Sequence, residues 1–126
     1  MHNNTVNRKT QLKETVESYF QALKEKNFAT IPYHDSIIFR SPLAPGGAQN
    51  PISGKLAVFD LWWKPLEPAL DGVVVNIIDH YYNESLSGML TKAEIILPGA
   101  GITLRVADRF VISEEGKISE QENHFE

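Results

Sequence analysis

Residues 102–112, ITLRVADRFVI, alternate with the two-residue period of a β-strand, in which successive side chains point to opposite faces of a sheet. One face is apolar and consists of Ile102, Leu104, Val106, Phe110 and Ile112. Asp108 lies within this apolar face, although the opposite face, with Arg105 and Arg109, suits a charge. Because an unpaired carboxylate in an apolar setting is costly, we expect Asp108 to be protonated, hydrogen-bonded or directed into a lined cavity.

Length, charge and composition limit the class of protein. The 126 residues fit one domain, which we assign to 9–126 after a flexible N-terminus at 1–8. The net charge is −4 and the 12 basic residues are scattered, so we expect no nucleic-acid partner. The sequence shows no signal-peptide core and no membrane-length apolar stretch, so we expect a cytoplasmic protein with no membrane partner. Cysteine is absent and no histidine pair has ligand spacing, so we expect no metal and no cofactor.

The N-terminal half shows two helical patterns. From about Lys9 to Lys26, the apolar residues have the spacing of an amphipathic helix, as in Leu12, Val16, Tyr19, Phe20 and Leu23. Ser53 offers an N-cap for a second helix that runs to about Trp63. Between the helices, 36–41 is typical of a strand, and the proline- and glycine-rich segment 42–51 is a loop and a candidate lid.

The C-terminal half has the pattern of an antiparallel sheet, with strands at 73–83, 85–97, 102–112 and 117–126 separated by turn residues. Helices followed by a run of strands indicate an α+β fold, with helices on one face of a curved sheet. Such a sheet encloses a pocket of the kind that binds small molecules.

Four segments resemble the nuclear-transport-factor-2-like (NTF2-like) superfamily, in particular its SnoaL-like and ketosteroid-isomerase-like proteins. They are SYFQALKEKNF, IIFRSPL, ISGKLAVFDLWW and ADRFVISEEGKI. The resemblance implies a cystatin-like α+β fold, in which a cone-shaped antiparallel or mixed sheet wraps around a pocket with two to three helices from the N-terminal half. It also implies a homodimer through the outer face of the sheet. Because one such fold hosts several reactions and purely binding proteins, it does not imply a particular activity.

The resemblance to ketosteroid isomerases also implies roles for particular residues. In those enzymes a tyrosine and a protonated aspartic acid form an oxyanion hole while a second aspartate moves the proton. The matching motifs place the tyrosine at Tyr19 and the protonated acid at Asp108. The base position, before the proline that follows the first strand, is occupied by Ser41. Serine does not take up a proton near neutral pH without a neighbouring base, so the isomerase mechanism does not transfer whole.

Three further residues are candidates for moving a proton. His34 precedes the first strand, near where the missing base would lie, and histidine is the residue type best suited to accept a proton near neutral pH, although a surface turn is the plainer interpretation. Asp79 and His80 are neighbours on one strand, so only one of them can face the pocket. We also expect ligand contacts from polar and aromatic residues on the inward faces, namely Phe39, Ser41, Phe59, Trp63, Phe110, Gln121 and Asn123.

These patterns predict a SnoaL-like domain that binds a small organic ligand bearing hydroxyl or carbonyl groups. Acid-base chemistry without a cofactor, as in an isomerase, cyclase or dehydratase, is the catalytic extension of this prediction. The alternative is a non-catalytic ligand-binding or dimerisation module of the same fold, which the serine at position 41 favours.

Overall fold

The structure, a computed structural model, describes residues 4–125. The helices are α1 (Asn4–Glu25), α2 (Lys55–Val58) and α3 (Lys64–Leu66), and the strands are β1 (Tyr33–Arg40), β2 (Ile52–Ser53), β3 (Val74–Tyr82), β4 (Gly88–Leu97), β5 (Ile102–Ile112) and β6 (Ile118–Phe125). A π-helical turn at Phe59–Trp63 joins α2 to α3. Short 3-10 turns follow α1 at Phe28–Thr30, α3 at Glu67–Leu70 and β4 at Pro98–Ala100.

The strands form one curved, six-stranded mixed sheet in the order β2-β1-β6-β5-β4-β3. Strands β1 and β6 pair in parallel, and every other neighbouring pair is antiparallel. The helices lie on one face, so the predicted α+β fold is confirmed. The parallel pair brings a strand from each half of the chain together, and it contributes most of the polar residues of the site described below.

Helix α1 covers the inner face of the sheet with the predicted apolar stripe, whose five residues are at most 2% exposed. The helix begins at Asn4 rather than near Lys9, so residues 4–8, expected to be part of a flexible N-terminus, are helical. Arg8 explains the earlier start, because its guanidinium donates hydrogen bonds of 2.7–2.9 Å to three backbone carbonyls in the β3–β4 and β5–β6 turn regions, those of Leu86, Ile112 and Ser113. The first turns of α1 are thereby tied to the sheet.

The second helical region differs from the predicted single helix. Ser53 is not its N-cap; it belongs to β2 and pairs with Ile38 of β1. Gly54, with a φ of 97°, precedes α2. A π turn has i→i+5 hydrogen bonds and therefore shifts every later side chain relative to the α-helical stripe. As a result both Trp62 and Trp63 are buried. Leu56, which precedes the π turn, is 81% exposed.

From Val106 onwards, strand β5 has the burial that its alternation predicts, because Val106, Asp108, Phe110 and Ile112 are all buried. At the start of the strand Ile102, expected on the same face, is 47% exposed. Its neighbours β4 and β6 align across it, so that Thr91, Asp108 and Asn123 form one row on the inner face of the sheet.

Among residues 4–125, no helix combines the length and the apolar character needed to cross a membrane.

Candidate functional site

A small cavity of about 30 Å³ lies between the inner face of the sheet and the helices. Its lining is mostly apolar, with Tyr19, Asp108 and Asn123 as the polar members; the apolar members are Leu23, Leu43, Trp62, Leu66, Leu70, Ile95, Leu97, Leu104, Val106 and Phe125. A volume of this size holds about two water molecules. The cavity is therefore small in the described conformation, and a larger ligand requires its walls to move.

The Asp108 carboxyl lies in the wall of this cavity, as its position on the apolar face of β5 predicts. It is 2% exposed, and its Oδ1 atom has no hydrogen-bond partner within the described part of the chain. Burial raises the pKa of Asp108 well above its ordinary value of 3.8, because the charged form loses its hydration without gaining a cationic partner. Burial therefore favours the neutral acid, which is a proton donor.

Tyr19 of α1 lies on the same cavity. Its ring stacks on Trp62 with 6.4 Å between ring centroids and packs edge-on against Phe110 at 5.5 Å. Burial raises the pKa of Tyr19 well above its ordinary value, the charge of Asp108 raises it further, and a hydrogen bond with Gln121 lowers it. The predicted pair of Tyr19 and Asp108 is thus brought together as two buried O–H groups, an arrangement suited to an oxygen atom that accepts hydrogen bonds.

A chain of buried hydrogen bonds supports the polar end of the cavity. The Tyr33 hydroxyl donates to Gln121 Oε1 at 2.5 Å, and Gln121 Nε2 donates to Asn123 Oδ1 at 3.2 Å. Asn123 Nδ2 then donates to Ser41 Oγ at 3.1 Å, and the backbone N–H of Leu43 donates to the same oxygen. Three residues of this hydrogen-bond network were predicted to contact a ligand. Asn123 lines the cavity, whereas Gln121 and Ser41 lie behind Asn123 and hold its side chain in place.

Sequence analysis did not identify Tyr33, which begins β1. Burial raises the pKa of Tyr33 well above its ordinary value, and the charges of Tyr19 and Asp108 raise it further, so its hydroxyl belongs to the same electrostatic cluster. The parallel pairing of β1 with β6 brings Tyr33 to Gln121, 88 residues later in the chain. A single sequence carries no local signal for such a long-range pairing, and the tyrosine by itself resembles any core aromatic residue.

Ser41 occupies the position at which a base is expected, and it is fully buried. Its hydroxyl oxygen accepts hydrogen bonds from Asn123 and from the backbone of Leu43, which uses both of its lone pairs. No titratable side chain is recorded as its partner among the described residues. Ser41 therefore positions Asn123 and the start of the loop, and it is not arranged to accept a proton.

The expectation that His34 lies near the base position is wrong. His34 and Ser41 are at opposite ends of β1, about 20 Å apart at the rise of a strand. The His34 side chain is exposed, and its Nδ1 atom accepts a hydrogen bond from the backbone of Ser36 at 3.0 Å. This is the surface turn that was the plainer interpretation.

A β-bulge decides between Asp79 and His80. The pairing of β3 with β4 slips at Ile78, so His80, and not Asp79, shares the inner face with the earlier residue Val75. Strict two-residue alternation would place Asp79 on the face of Val75, so the bulge is what turns His80 inward instead. Asp79 pairs opposite Lys92 and is exposed.

His80 faces inward but does not line the described cavity. Its Nδ1 atom is 2.8 Å from the hydroxyl of Thr91, and its Nε2 atom is 3.8 Å from the carboxylate of Glu17 on α1. Burial lowers the pKa of His80, and the charge of Glu17 opposes this change. Thr91 is the cross-strand neighbour of Asp108, so His80 is separated from the acid by one buried hydroxyl-bearing residue.

The aromatic residues predicted to contact ligand lie around the cavity rather than on it. Phe39 packs behind Trp62 at 4.6 Å, and Trp63 and Phe59 pack against Phe28. Phe110 supports Tyr19 from β5. The cavity wall is instead formed by Trp62, because the π turn directs this tryptophan, and not its neighbour, towards the sheet.

A second, outer groove of about 210 Å³ lies beside the cavity. Leu43, Trp62 and Leu66 line both spaces, and Pro65 and Ala69 complete the groove. Leu43 belongs to the segment predicted as a lid and is 52% exposed. The two spaces are thus separated by a thin wall of side chains, and displacement of Leu43 and Leu66 would join them.

Within the described residues, no group of three histidine, aspartate or glutamate side chains is placed to hold a metal ion.

Comparison with known proteins identifies the fold. No family model matches the chain, and no curated protein matches it significantly. Among solved structures, a SnoaL-like protein of unknown function from Burkholderia thailandensis is similar, with a TM-score of 0.76 and 14% identity over 93% of this chain and 95% of that one. SalBIII, an epoxide hydrolase/cyclase-like enzyme of pyran ring formation in polyether salinomycin, is similar with a TM-score of 0.75 and 16% identity, over 98% of this chain and 94% of that one. A steroid delta-isomerase from Pseudomonas aeruginosa is similar with a TM-score of 0.66 and 15% identity, over 92% of this chain and 80% of that one. The chain therefore has the NTF2-like, cystatin-like fold that its sequence segments predict.

Proposed function

We propose that this chain is a SnoaL-like protein whose cavity binds the carbonyl or hydroxyl oxygen of a small, partly apolar organic ligand. One observation carries the proposal: the Asp108 carboxyl is buried in the cavity wall beside Tyr19, and its Oδ1 atom lacks a hydrogen-bond partner among residues 4–125. A buried polar atom without a partner costs about 1–3 kcal/mol. A ligand oxygen that accepts hydrogen bonds from Asp108 and Tyr19 would recover this free energy, so the site favours ligands with such an oxygen.

The catalytic extension is a reaction that needs one acid and no separate base. Among the described residues that line the cavity, Asp108 is the single carboxyl group and no histidine is present. A neutral Asp108 can protonate a ligand oxygen and take back a proton from a hydroxyl of the same ligand as that hydroxyl attacks. This scheme favours a cyclisation or ring opening over an isomerisation, which requires a base for carbon. The structurally similar SalBIII is named for pyran ring formation, which is a reaction of this class.

A non-catalytic binding module is the second candidate, and the hydrogen bonds of Ser41 favour it. Ser41, at the position of the expected base, accepts hydrogen bonds from Asn123 and from the backbone of Leu43, and no titratable side chain of the described residues bonds to it. On this alternative the cavity binds the same ligand class without changing it. The two candidates differ in turnover and agree in their prediction for binding.

The binding proposal is tested with two compounds of nearly equal shape, 4-benzylphenol and 4-methyldiphenylmethane, which carry a hydroxyl and a methyl group at the same position. Calorimetry and thermal unfolding should show that the phenol binds more tightly, because a ligand that binds only the folded state raises its melting temperature. Two neutral hydrogen bonds are worth about 1–3 kcal/mol, or roughly 5- to 150-fold in affinity.

This preference should disappear in Asp108→Leu and decrease in Tyr19→Phe. Asp79→Leu, which changes an exposed aspartate on the other face of the sheet, is the matched control and should retain it. If the phenol and its methyl analogue bind equally well, or if neither stabilises the protein, the proposed function is wrong.

We also propose that the protein forms a homodimer through the outer face of the sheet. Strand β3 exposes Val74, Ile78 and Tyr81, which are 43–51% accessible and supply apolar area to this face. Next to them, Arg105 and Glu94 form an ion pair of 4.0 Å, typical of an interface rim. Light scattering should report a dimer that Ile78→Lys weakens, and a monomer at high protein concentration would contradict this.

A further inference from the structure

The indole N–H of Trp62 is a second buried polar group that has no hydrogen-bond partner among the residues the structure describes. In the described part of the chain, two buried side-chain atoms lack a hydrogen bond, Trp62 Nε1 and Asp108 Oδ1, and both residues line the same cavity. An indole N–H can only donate, and buried tryptophan nitrogens normally find an acceptor. Two unsatisfied polar atoms around one small cavity indicate that something other than this chain supplies their partners.

The Trp62 ring is held in place on two sides. Phe39 packs against it at 4.6 Å between ring centroids, and Tyr19 stacks on it at 6.4 Å with an interplanar angle of 20°. The π turn that carries Trp62 also buries Trp63, so the ring cannot rotate out without disturbing the core. The missing acceptor must therefore come to the indole, because the indole cannot easily move to water.

Trp62 also stands where the inner cavity meets the outer groove, since it lines both. Asp108 lines only the inner cavity. A ligand whose first oxygen lies at Asp108 and Tyr19 and whose body extends outward past Leu43 and Leu66 must pass the indole. The apolar groove beyond, with Pro65 and Ala69, suits the hydrophobic part of such a molecule.

We propose that Trp62 is a specificity-determining residue that donates a hydrogen bond to a second oxygen of the ligand. This inference rests on the proposed function and narrows its ligand class to elongated molecules with two oxygen functions. The first is a hydroxyl or carbonyl at Asp108, and the second is an acceptor at Trp62. The second oxygen belongs to a neutral carbonyl, ether or ester, because no lysine or arginine is among the described lining residues to offset the desolvation of an anion.

The test compares 4-hydroxybenzophenone with 4-benzylphenol, in which a methylene group replaces the ketone, together with the corresponding 3-hydroxy and 3-benzyl isomers to vary the position of the second oxygen. Affinities are measured by calorimetry on the wild-type protein and on Trp62→Phe. The wild type should prefer the ketone of at least one pair by about 3- to 10-fold, as expected of one neutral hydrogen bond. In Trp62→Phe this ratio should fall to about one.

The change in the ratio is the decisive quantity, because the ketone also makes the phenol more acidic and thereby alters its binding at Asp108. Trp63→Phe is the matched control, since Trp63 is equally buried but does not line the cavity, and it should retain the wild-type ratio. If Trp62→Phe does not fold, 3-benzothienylalanine at position 62 keeps the bicyclic ring and removes only the donor.

The outcomes separate this inference from the proposed function. If both compounds bind in a manner that Asp108→Leu weakens, but Trp62→Phe leaves their ratio unchanged, the role of Trp62 is overturned and the proposed function stands. If neither compound binds the wild type, or if Asp108→Leu leaves both affinities unchanged, the proposed function is overturned and this inference with it.

Discussion

Replacing Asp108 with asparagine should change how the stability of the protein depends on pH. Asparagine nearly matches the volume of aspartic acid and cannot ionise. In the folded protein, burial raises the pKa of Asp108 well above its ordinary value of 3.8, whereas in the unfolded chain the carboxyl is solvated and titrates near that value. The folded wild type therefore holds a proton that the unfolded chain has released, over the whole pH interval between the two pKa values.

The sign and size of the effect follow from this difference in bound protons. When the folded state holds one proton more, the free energy of unfolding falls by about 1.4 kcal/mol for each unit of rising pH. The stabilising contribution is complete below the unfolded pKa and is lost as pH rises towards the folded pKa, above which the curve levels off. For a carboxyl that stays protonated in the folded protein from pH 5 to pH 7, the loss is about 3 kcal/mol. Asp108→Asn should escape this loss.

The assay is urea unfolding, followed by tryptophan fluorescence at several pH values between 4.5 and 8. The difference in unfolding free energy between Asp108→Asn and the wild type cancels the contributions of all other titrating groups that the substitution leaves undisturbed. This difference should move in favour of the variant as pH rises, at an unchanged denaturant slope. Asp79→Asn, at an exposed aspartate on the outer face, is the matched control and should run parallel to the wild type.

Parallel curves for Asp108→Asn and the wild type would refute the reasoning. They would mean that the Asp108 carboxyl is as well solvated or as well paired in the folded protein as in the unfolded chain. The acid would then not be a neutral donor, and the roles proposed for it and for Tyr19 would lose their physical basis. A difference that moves against the variant as pH rises would refute it equally, since it would require a folded-state pKa below the unfolded one.

Three further substitutions test the supporting structure. Arg8→Ala removes the charged donor that ties α1 to the sheet, so the free energy of unfolding in urea should fall by about 2 kcal/mol. Amide hydrogen exchange in the first turns of α1 should become faster, and unchanged exchange would contradict this. Ser41→Ala leaves the buried amide of Asn123 without its acceptor and should cost about 1–3 kcal/mol in the same assay, with an unchanged urea midpoint as the opposing result. Gly88→Ala would drive a methyl group into the carbonyl oxygen of Phe110 on β5, so we expect a loss of about 3 kcal/mol or more, and a variant as stable as the wild type would show that the strands are less closely apposed.

The sequence alone predicted the main outline of this protein because the signals involved are local. The two-residue period of 102–112 assigns each side chain of β5 to a face, and neither pairing partners nor register are needed to place Asp108 on the inner one. The helical period of α1 likewise assigns Tyr19 to the buried face of the helix. The order of helices and strands then implies an α+β fold, and the four sequence segments identify its type.

The tertiary structure alone decided which other residues join Asp108 and Tyr19. The bulge at Ile78 turns His80 inward, and the π turn places Trp62 on the cavity. The parallel pairing of β1 with β6 brings Tyr33 to Gln121 and aligns Ser41 with Asn123. Each of these depends on hydrogen bonds between segments that are far apart in the chain or on a local break in a regular period. A break in a period changes which side chain faces inward without changing the residues themselves, so periodicity in a single sequence cannot reveal it.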